Sequence, residues 1–300
     1  MRNIFSRVAT FACAGAAAVL FCGPLSSAQI THGKGKFNQQ DKFRQMEEIL
    51  PTPTEVRLAS GAPGPAYWQQ HADYDIDVTI DDVDQRIIGS ELVTYHNTSP
   101  HELRYLWMQL DQNVFQRGSD ADLISTAPSF LSTDSKGGSF VDERRSGKLG
   151  FRGLRRLLAM QTSTAGHNIT NVTDASGTPL AHVIVKTMMR LDLPRPLAPG
   201  KTTQFRIDWN FDIIDAKSIP SRQGYEYFED DDNYLYEIAH WFPRMAAYTD
   251  VNGWQHKQFL GRGEFTLEFG NYDVRITAPN DHIVAATGVL QNPEAVLTQN

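Results

Sequence analysis

A strict alternation of apolar and polar side chains begins at residue 74 and limits what this chain can fold into. The alternating residues are, in order, Tyr74, Asp75, Ile76, Asp77, Val78, Thr79, Ile80 and Asp81. A period of two places successive side chains on opposite faces of a β-strand, so one face is buried and the other is solvated. A turn at 82–85 and a second strand from Arg86 to His96 complete a predicted β-hairpin.

Short strands separated by turns also dominate the rest of the chain. A third strand through Leu106, Met108 and Leu110 is expected to extend the hairpin into an antiparallel meander. Later extended segments are predicted at 169–172, 182–191, 203–211, 234–242, 265–269, 274–278 and 283–288. Loops or insertions are predicted at 116–166 and 215–232, the first with a short helix around Leu154. The sequence therefore predicts an all-β fold, either a β-sandwich or a large curved sheet, with short helices in insertions.

Residues 1–28 have the organisation of a cleavable secretory signal peptide. Arg2 and Arg7 form a short positive region, an apolar run covers 8–21, and Ser26 and Ala28 supply the small residues of a cleavage site. The apolar run is short for a hydrocarbon core of about 30 Å, and no later segment is apolar for long enough to span one. We therefore expect a periplasmic or secreted protein. Lipid modification of Cys22 is the alternative.

The predicted signal peptide contains both cysteines of the chain, Cys13 and Cys22. The exported part must then be stabilised by a hydrophobic core without disulfides, and it has neither a cysteine nucleophile nor a thiolate metal site. Cleavage lowers the Lys and Arg total from 28 to 26 against 35 Asp and Glu, so the net charge changes from −7 to −9. An acidic chain lacks the basic footprint of a nucleic-acid-binding protein.

A search for motifs of catalysis finds no complete active site. Hydrolytic zinc sites commonly use H-E-x-x-H on a helix, but no two of the 9 histidines are four residues apart. The chain also lacks a G-x-S-x-G nucleophile elbow and a phosphate-binding glycine loop. The basic stretch at 144–156 and the acidic run at 229–232 are interpreted as solvated loops. We therefore predict no catalytic residue and no metal ligand in these 300 residues.

The order of several segments resembles the N-terminal domain of zinc aminopeptidases of peptidase family M1. The first matching segments are Tyr74-Asp-Ile-Asp-Val78, Ile88-Gly89 through Tyr95-His-Asn97, and Leu106-Trp-Met-Gln-Leu110. The later ones are Trp241-Phe-Pro-Arg244, Tyr248-Thr-Asp250, Gly253-Trp254, Glu264-Phe-Thr-Leu-Glu-Phe269, and Val274 through Pro279 to Gly288. The resemblance covers about residues 67–290.

The resemblance implies a saddle-like, mostly antiparallel β domain that sits over a zinc-dependent catalytic domain. By this reading 29–66 is a polar N-terminal segment and linker, 67–290 is the β domain, and 291–300 begins the connection to a catalytic domain absent from these residues. Zinc would be held by that domain, whose partner is a peptide with a free N-terminus. We therefore expect the isolated chain to show no peptidase activity and to bind no stoichiometric zinc.

The resemblance also implies a role for two side chains just before the Phe-Pro segment. In the family, an acidic or amide side chain there helps to hold the α-amine of the substrate. Glu237 and His240 are the nearest matches, although their spacing departs from the family pattern. A carboxylate suits this role because it pairs with an ammonium group. The alternative is structural, with Glu237 facing solvent and His240 partly buried.

Two other functions are compatible with an exported β-rich chain. One is a β-sandwich module that binds carbohydrate or protein, since 5 Trp and 10 Tyr could supply aromatic platforms. The other is a structural or assembly domain of the cell envelope. Neither would require a catalytic domain.

Overall fold

A computed structural model describes residues 53–124, 151–219, 221–261, 263 and 266–297, without the side chains of 152 and 153. All of these residues lie in one compact unit, Pro53–Asn300. The signal peptide and Cys22 lie outside the described residues. The start of the β domain at residue 67 also stays a prediction. No helix within the described ranges combines the length and the apolar character needed to cross a membrane.

Strand residues greatly outnumber helical residues in the described part of the chain, which confirms the all-β prediction. The strands are β1 (His71–Asp81), β2 (Arg86–His96), β3 (Leu103–Gln109), β4 (Asn168–Asp174), β5 (His182–Val185), β6 (Met188–Leu197), β7 (Thr202–Asp212), β8 (Gly224–Phe228), β9 (Asn233–Glu237), β10 (Arg244–Met245), β11 (Tyr248–Thr249), β12 (Gly253–Trp254) and β13 (Tyr272–Thr277). The helices are short: α1 (Asp120–Ile124), α2 (Phe151–Thr162) and α3 (Pro293–Val296), with a 3-10 helix at Asp111–Phe115.

The largest sheet has the strand order β13-β1-β2-β7-β4. Its centre is the predicted hairpin, in which β1 and β2 are antiparallel along their whole length, from His71 opposite His96 to Asp81 opposite Arg86. Strand β13 lies parallel to β1, with Tyr74 opposite Tyr272. The hairpin prediction is therefore confirmed.

The third strand does not continue the meander, so this part of the prediction is wrong. Strand β3 belongs to a second sheet with the order β10-β3-β6-β5, and the free edge of β2 pairs with β7 instead. The alternation of Leu106, Met108 and Leu110 identifies the buried face of a strand. It does not identify the neighbouring strand, because the same pattern fits any sheet that covers a core.

Both sheets contribute to one hydrophobic core. Leu106 and Met108 of β3 pack in the same cluster as Tyr95 of β2 and Trp209 of β7. Gly89 is needed within this core, because a Cβ atom there would overlap the indole ring of Trp209. The glycine of the family-like segment thus makes room for the largest buried side chain of the neighbouring strand.

Several strand limits differ from the sequence-based predictions. The segment 182–191 is divided at Lys186, which has a φ of 54°, and β6 then continues through two prolines to Leu197. The loop expected at 215–232 contains β8. In the segment expected at 265–269, the described residues form no strand beyond an isolated bridge between Phe269 and His71, and 283–288 form none.

Candidate functional site

The segment from Glu237 to Met245 carries both residues suggested for amine binding. Glu237 is the last residue of β9, and its backbone pairs with Gly224 of β8. Its side chain is exposed, whereas His240 is half-buried. The structure thus presents one carboxylate to solvent and one imidazole at the edge of the packed region.

The backbone at His240 is held in an uncommon conformation. Its φ of 51° lies in the left-handed region, which residues with a Cβ atom rarely adopt. The amide of Gln112 donates to the carbonyl oxygens of Ala239 at 2.8 Å and His240 at 3.3 Å. Gln112 and Gln223 also exchange amide hydrogen bonds of 2.9 and 2.8 Å. This buried amide pair fixes the turn that positions the imidazole, whose ring lies edge-on to Phe259 at 5.5 Å.

The Phe-Pro segment that follows is attached to the core at both ends. The indole N–H of Trp209 donates to the carbonyl oxygen of Trp241 at 3.1 Å. The backbone N–H of Met245 donates to the hydroxyl of Tyr74 at 2.8 Å. The two bonds attach the segment to the five-stranded sheet on either side of Pro243, while Arg244 and Met245 pair with β3 of the four-stranded sheet.

A buried ion pair lies directly behind this segment. Arg244 pairs with Asp111, which is almost fully buried in the 3-10 helix. Burial, and then the positive charge of Arg244, lower the pKa of the buried His167 to about 3. His167 is therefore a neutral imidazole at pH 7. The backbone N–H of His167 donates to Oδ1 of Asn113 at 2.7 Å, whereas neither ring nitrogen has a hydrogen-bond partner among the described residues.

The same region of the core contains the carboxyl group of Glu91. Glu91 is 0% exposed, and neither of its oxygens has a hydrogen-bond partner among the described residues. Burial raises its pKa well above the ordinary value. A carboxyl group in this environment is favoured in its neutral form. It interacts electrostatically with Tyr74, so it lies near the ring that anchors Met245.

The structure therefore places Glu237 and His240 on one hydrogen-bonded segment and gives each a different exposure. The role of this pair in holding an α-amine stays a prediction. The buried groups behind the segment did not come from the motif search, although the sequence contains a signal for one of them. The alternation of β2 places Glu91 in phase with the buried Ile87 and Val93.

A second cluster of functional side chains lies on the solvated face of the β1–β2 hairpin. Nε2 of His71 is 2.7 Å from Oδ1 of Asp73, and Nε2 of His96 is 2.9 Å from Oδ2. Within the described ranges this is the one group of three or more His, Cys, Asp or Glu residues with the geometry to hold a metal ion. The motif search missed it because that search tested helical spacing, whereas His71 and His96 meet across a hairpin.

The hydrogen bonds around Asp73 decide its charge. Burial acts to raise the pKa of Asp73, but the bonds from Asn271, His96 and His71 outweigh it and lower the pKa to about 2. Asp73 is thus ionised at neutral pH. Extending the predicted hairpin pairing outward from the turn at 82–85 would have placed His71 opposite His96.

No protein-family model matches this chain, and no curated protein matches it. Solved structures similar to the chain include M1 zinc metallopeptidases. One, from Deinococcus radiodurans, is a mutant bound to a Tyr-Ser-Ala substrate; at 14% identity the match covers 74% of this chain and 35% of that chain, with a TM-score of 0.36. Another, a two-domain M1 zinc metallopeptidase mutant bound to L-tryptophan, gives 13% identity, 76% and 37% coverage, and a TM-score of 0.35.

The chain thus spans about a third of the length of these enzymes, which are named for the family that the sequence motifs resemble. Overlaps at this identity and TM-score do not extend the activity of those enzymes to this chain.

Proposed function

We propose that this chain is the N-terminal, non-catalytic β domain of an exported zinc metallo-aminopeptidase, which removes N-terminal residues from peptides. The motifs between residues 74 and 288 support this proposal, because they follow one another in the order seen in the family and extend over almost the whole β domain. Two of the motifs also have a clear structural role. Gly89 gives space to Trp209, and the Trp241–Arg244 stretch is fixed between the two main sheets.

The observation that carries the proposal is an apolar sheet face left partly open at β13. Tyr272, Val274 and Ile276 are in register with Tyr74, Ile76 and Val78 of β1. Residues in register on adjacent strands project to the same face of a sheet. The three β1 side chains are buried, but their partners on β13 are 46%, 39% and 37% exposed. The described residues therefore leave part of the inner face of this sheet, at β13, uncovered.

The residues after β13 are also apolar and exposed. Ile283 is 95% exposed and Val289 is 83% exposed, and Val284, Leu290, Val296 and Leu297 are exposed as well. We propose that these side chains pack against another domain or protein, because exposed large apolar side chains are typical of such surfaces. In the proposed enzyme this partner is the catalytic domain, which contains the zinc ligands.

The chemical contributions of the two domains differ. Zinc in the catalytic domain would polarise the scissile carbonyl while a glutamate activates water. This chain would contribute Glu237, whose exposed carboxylate can pair with the ammonium group of a peptide N-terminus. His240, on the fixed turn, would add a hydrogen bond from its imidazole. Export by the 1–28 signal would place the enzyme in the periplasm or outside the cell.

The complete coding sequence of the gene tests this proposal. We expect codons beyond Asn300 to encode H-E-x-x-H, followed about twenty residues later by a glutamate, because these residues form the zinc site of such enzymes. A stop codon directly after Asn300 would overturn the proposal.

One feature favours a second candidate, a carbohydrate-binding module. The β8–β9 hairpin carries a group of neighbouring tyrosines, in which the Tyr227 and Tyr234 rings are tilted at 4.8 Å and the Tyr234 and Tyr236 rings are stacked at 6.0 Å. Sugar rings pack on exposed aromatic faces of this kind. Titration of the chain with soluble polysaccharides, monitored by tyrosine and tryptophan fluorescence, would support this candidate if Tyr234→Ala removed a saturable response. A response that Tyr234→Ala leaves intact, or no response, would eliminate it.

A further inference from the structure

We propose that His71, Asp73 and His96 form a binding site for a divalent metal ion of the zinc class, and that the ion fastens edge strand β13 to the β1–β2 hairpin. The inference does not depend on the proposed function. It departs from the sequence-based expectation that the isolated chain binds no stoichiometric zinc, because that expectation considered only helical ligand spacing.

The donor atoms have the chemistry and the proximity that such an ion requires. Two imidazole nitrogens and one carboxylate oxygen are a ligand set that proteins use for zinc, with an open position left for water. The candidate ligand atoms all lie within 4.8 Å of one another. Tetrahedral zinc with bonds of about 2.0–2.1 Å separates its ligand atoms by about 3.3 Å. Since Nε2 of His96 lies 2.9 Å from Oδ2 of Asp73, this pair has to open by about 0.4 Å, and the ring of His71, now 2.7 Å from Oδ1, has to turn toward an ion bound at Oδ2.

The neighbouring groups orient the ligands as supporting residues do in metal sites. Nδ1 of His96 lies 3.2 Å from the hydroxyl oxygen of Thr202 on β7. In the metal-bound form a hydrogen on Nδ1 can be donated to this hydroxyl, which leaves the lone pair of Nε2 for the ion. Asp73 is held by Asn271, whose backbone N–H and side-chain N–H donate to Oδ1 at 2.8 and 2.9 Å. Oδ2 accepts only from His96 among the described residues, so it is the oxygen best placed to bind the ion.

Negative charge around the cluster favours a cation. The carboxylate of Asp73 lies 2.7 Å from Nε2 of His71 and 2.9 Å from Nε2 of His96, so its negative charge faces both imidazoles. On binding, the ion forms bonds to the two Nε2 atoms and to Asp73. The hydrogens that the imidazoles shared with the carboxylate pass to solvent or to Nδ1 of the same ring.

The position of Asn271 gives the site a structural consequence. Asn271 immediately precedes β13, and its carbonyl oxygen accepts the backbone N–H of Tyr74 at 2.9 Å. An ion that fixes Asp73 therefore also fixes the residue from which β13 starts. Edge strands with one partner are the parts of a sheet that open most readily, so a metal clamp here would raise the thermal stability of the whole sheet.

Metal titration of the full chain, purified without an affinity tag, tests the inference. We expect one Zn²⁺ per chain by calorimetry, and visible absorption typical of tetrahedral coordination when Co²⁺ replaces zinc. His71→Ala and His96→Ala should each weaken Zn²⁺ binding at least tenfold, and Thr202→Val, which keeps all three ligands, should weaken it about tenfold. His182→Ala on β5 is the matched control and should leave the affinity unchanged.

Circular dichroism of each variant establishes that it is folded. Absence of one-to-one binding by the folded wild-type chain would overturn the inference, as would unchanged affinity in a folded His71→Ala/His96→Ala variant. If the double variant does not fold, unchanged affinity in both folded single variants has the same meaning. A negative result would leave the coding-sequence test of the proposed function unaffected.

Discussion

The hydroxyl of Tyr74 accepts a hydrogen bond of 2.8 Å from the backbone N–H of Met245, and this bond joins the two main sheets across the core. Tyr74 belongs to the five-stranded sheet, and Met245 belongs to the edge strand of the four-stranded sheet. The bond therefore determines where the Phe-Pro segment sits relative to the hairpin.

Removing this hydroxyl should destabilise the domain. Tyr74→Phe leaves the buried N–H of Met245 without its partner, and an unsatisfied buried donor costs about 1–3 kcal/mol. Urea denaturation should show this decrease in the free energy of unfolding. Tyr105→Phe is the control, since the Tyr105 hydroxyl has no hydrogen bond within the described residues, and its effect should stay within about 0.5 kcal/mol. Equal effects of the two substitutions would contradict this account of the interface.

The close contact between Gly89 and Trp209 gives a second prediction. A methyl group at Gly89 overlaps the indole ring, so Gly89→Ala should destabilise the domain by about 1–3 kcal/mol, the usual cost of overpacking. Adding Trp209→Phe, which provides space, should recover part of that loss. Thermal unfolding of both single variants and the double variant measures the coupling. Additive effects would mean that the two side chains do not compete for the same volume.

The buried carboxyl group of Glu268 makes stability depend on pH. Burial raises its pKa to about 7, although the hydrogen bond from Tyr248 and the charge of His71 oppose this shift. Because the folded-state pKa lies above the unfolded value of 4.5, wild-type stability should fall as pH rises from about 4.5 to 7. Glu268→Gln should remove this dependence and gain up to about 3 kcal/mol relative to wild type between pH 5 and 8.

Free energies of unfolding at the two pH values provide the measurement for Glu268. Glu226→Gln on the exposed side of β8 is the matched control, and it should change stability little at either pH. A difference between wild type and Glu268→Gln that is the same at pH 5 and pH 8 would show that Glu268 does not titrate in this window.

The open apolar face of β13 should bind a hydrophobic fluorescent dye. Val274→Asp and Ile276→Asp add charge to this face and should reduce dye fluorescence in the folded chain. Thr277→Asp adds the same charge one residue beyond, out of phase with the apolar side chains, and is the control. Equal dye binding by all three variants would place the exposed apolar surface elsewhere.

Local patterns predicted part of this fold, while contacts between distant segments had to come from the structure. The β1–β2 hairpin follows from the period of two and the turn at 82–85, since both signals involve adjacent residues. The partner of β3 does not, because alternation specifies a buried face and leaves the neighbouring strand undetermined. Strand β8 was missed because it is short and lies within an acidic, turn-rich stretch.

The candidate sites show the same division. Glu237 and His240 could be proposed because they lie near a recognisable segment, but the amide pair of Gln112 and Gln223 that fixes His240 comes from two distant parts of the chain. The proposed metal site depends on strand register together with the contact of Asn271, which precedes β13. Neither feature produces a motif in the linear sequence.

The aminopeptidase rate of the protein expressed from the complete gene tests the central claim most directly. The account predicts chelator-sensitive cleavage of a leucyl anilide with a free amine, little cleavage of its N-acetylated form, and none by the 300-residue chain alone. Cleavage by the 300-residue chain, or no cleavage by the folded product of the complete gene, would contradict it.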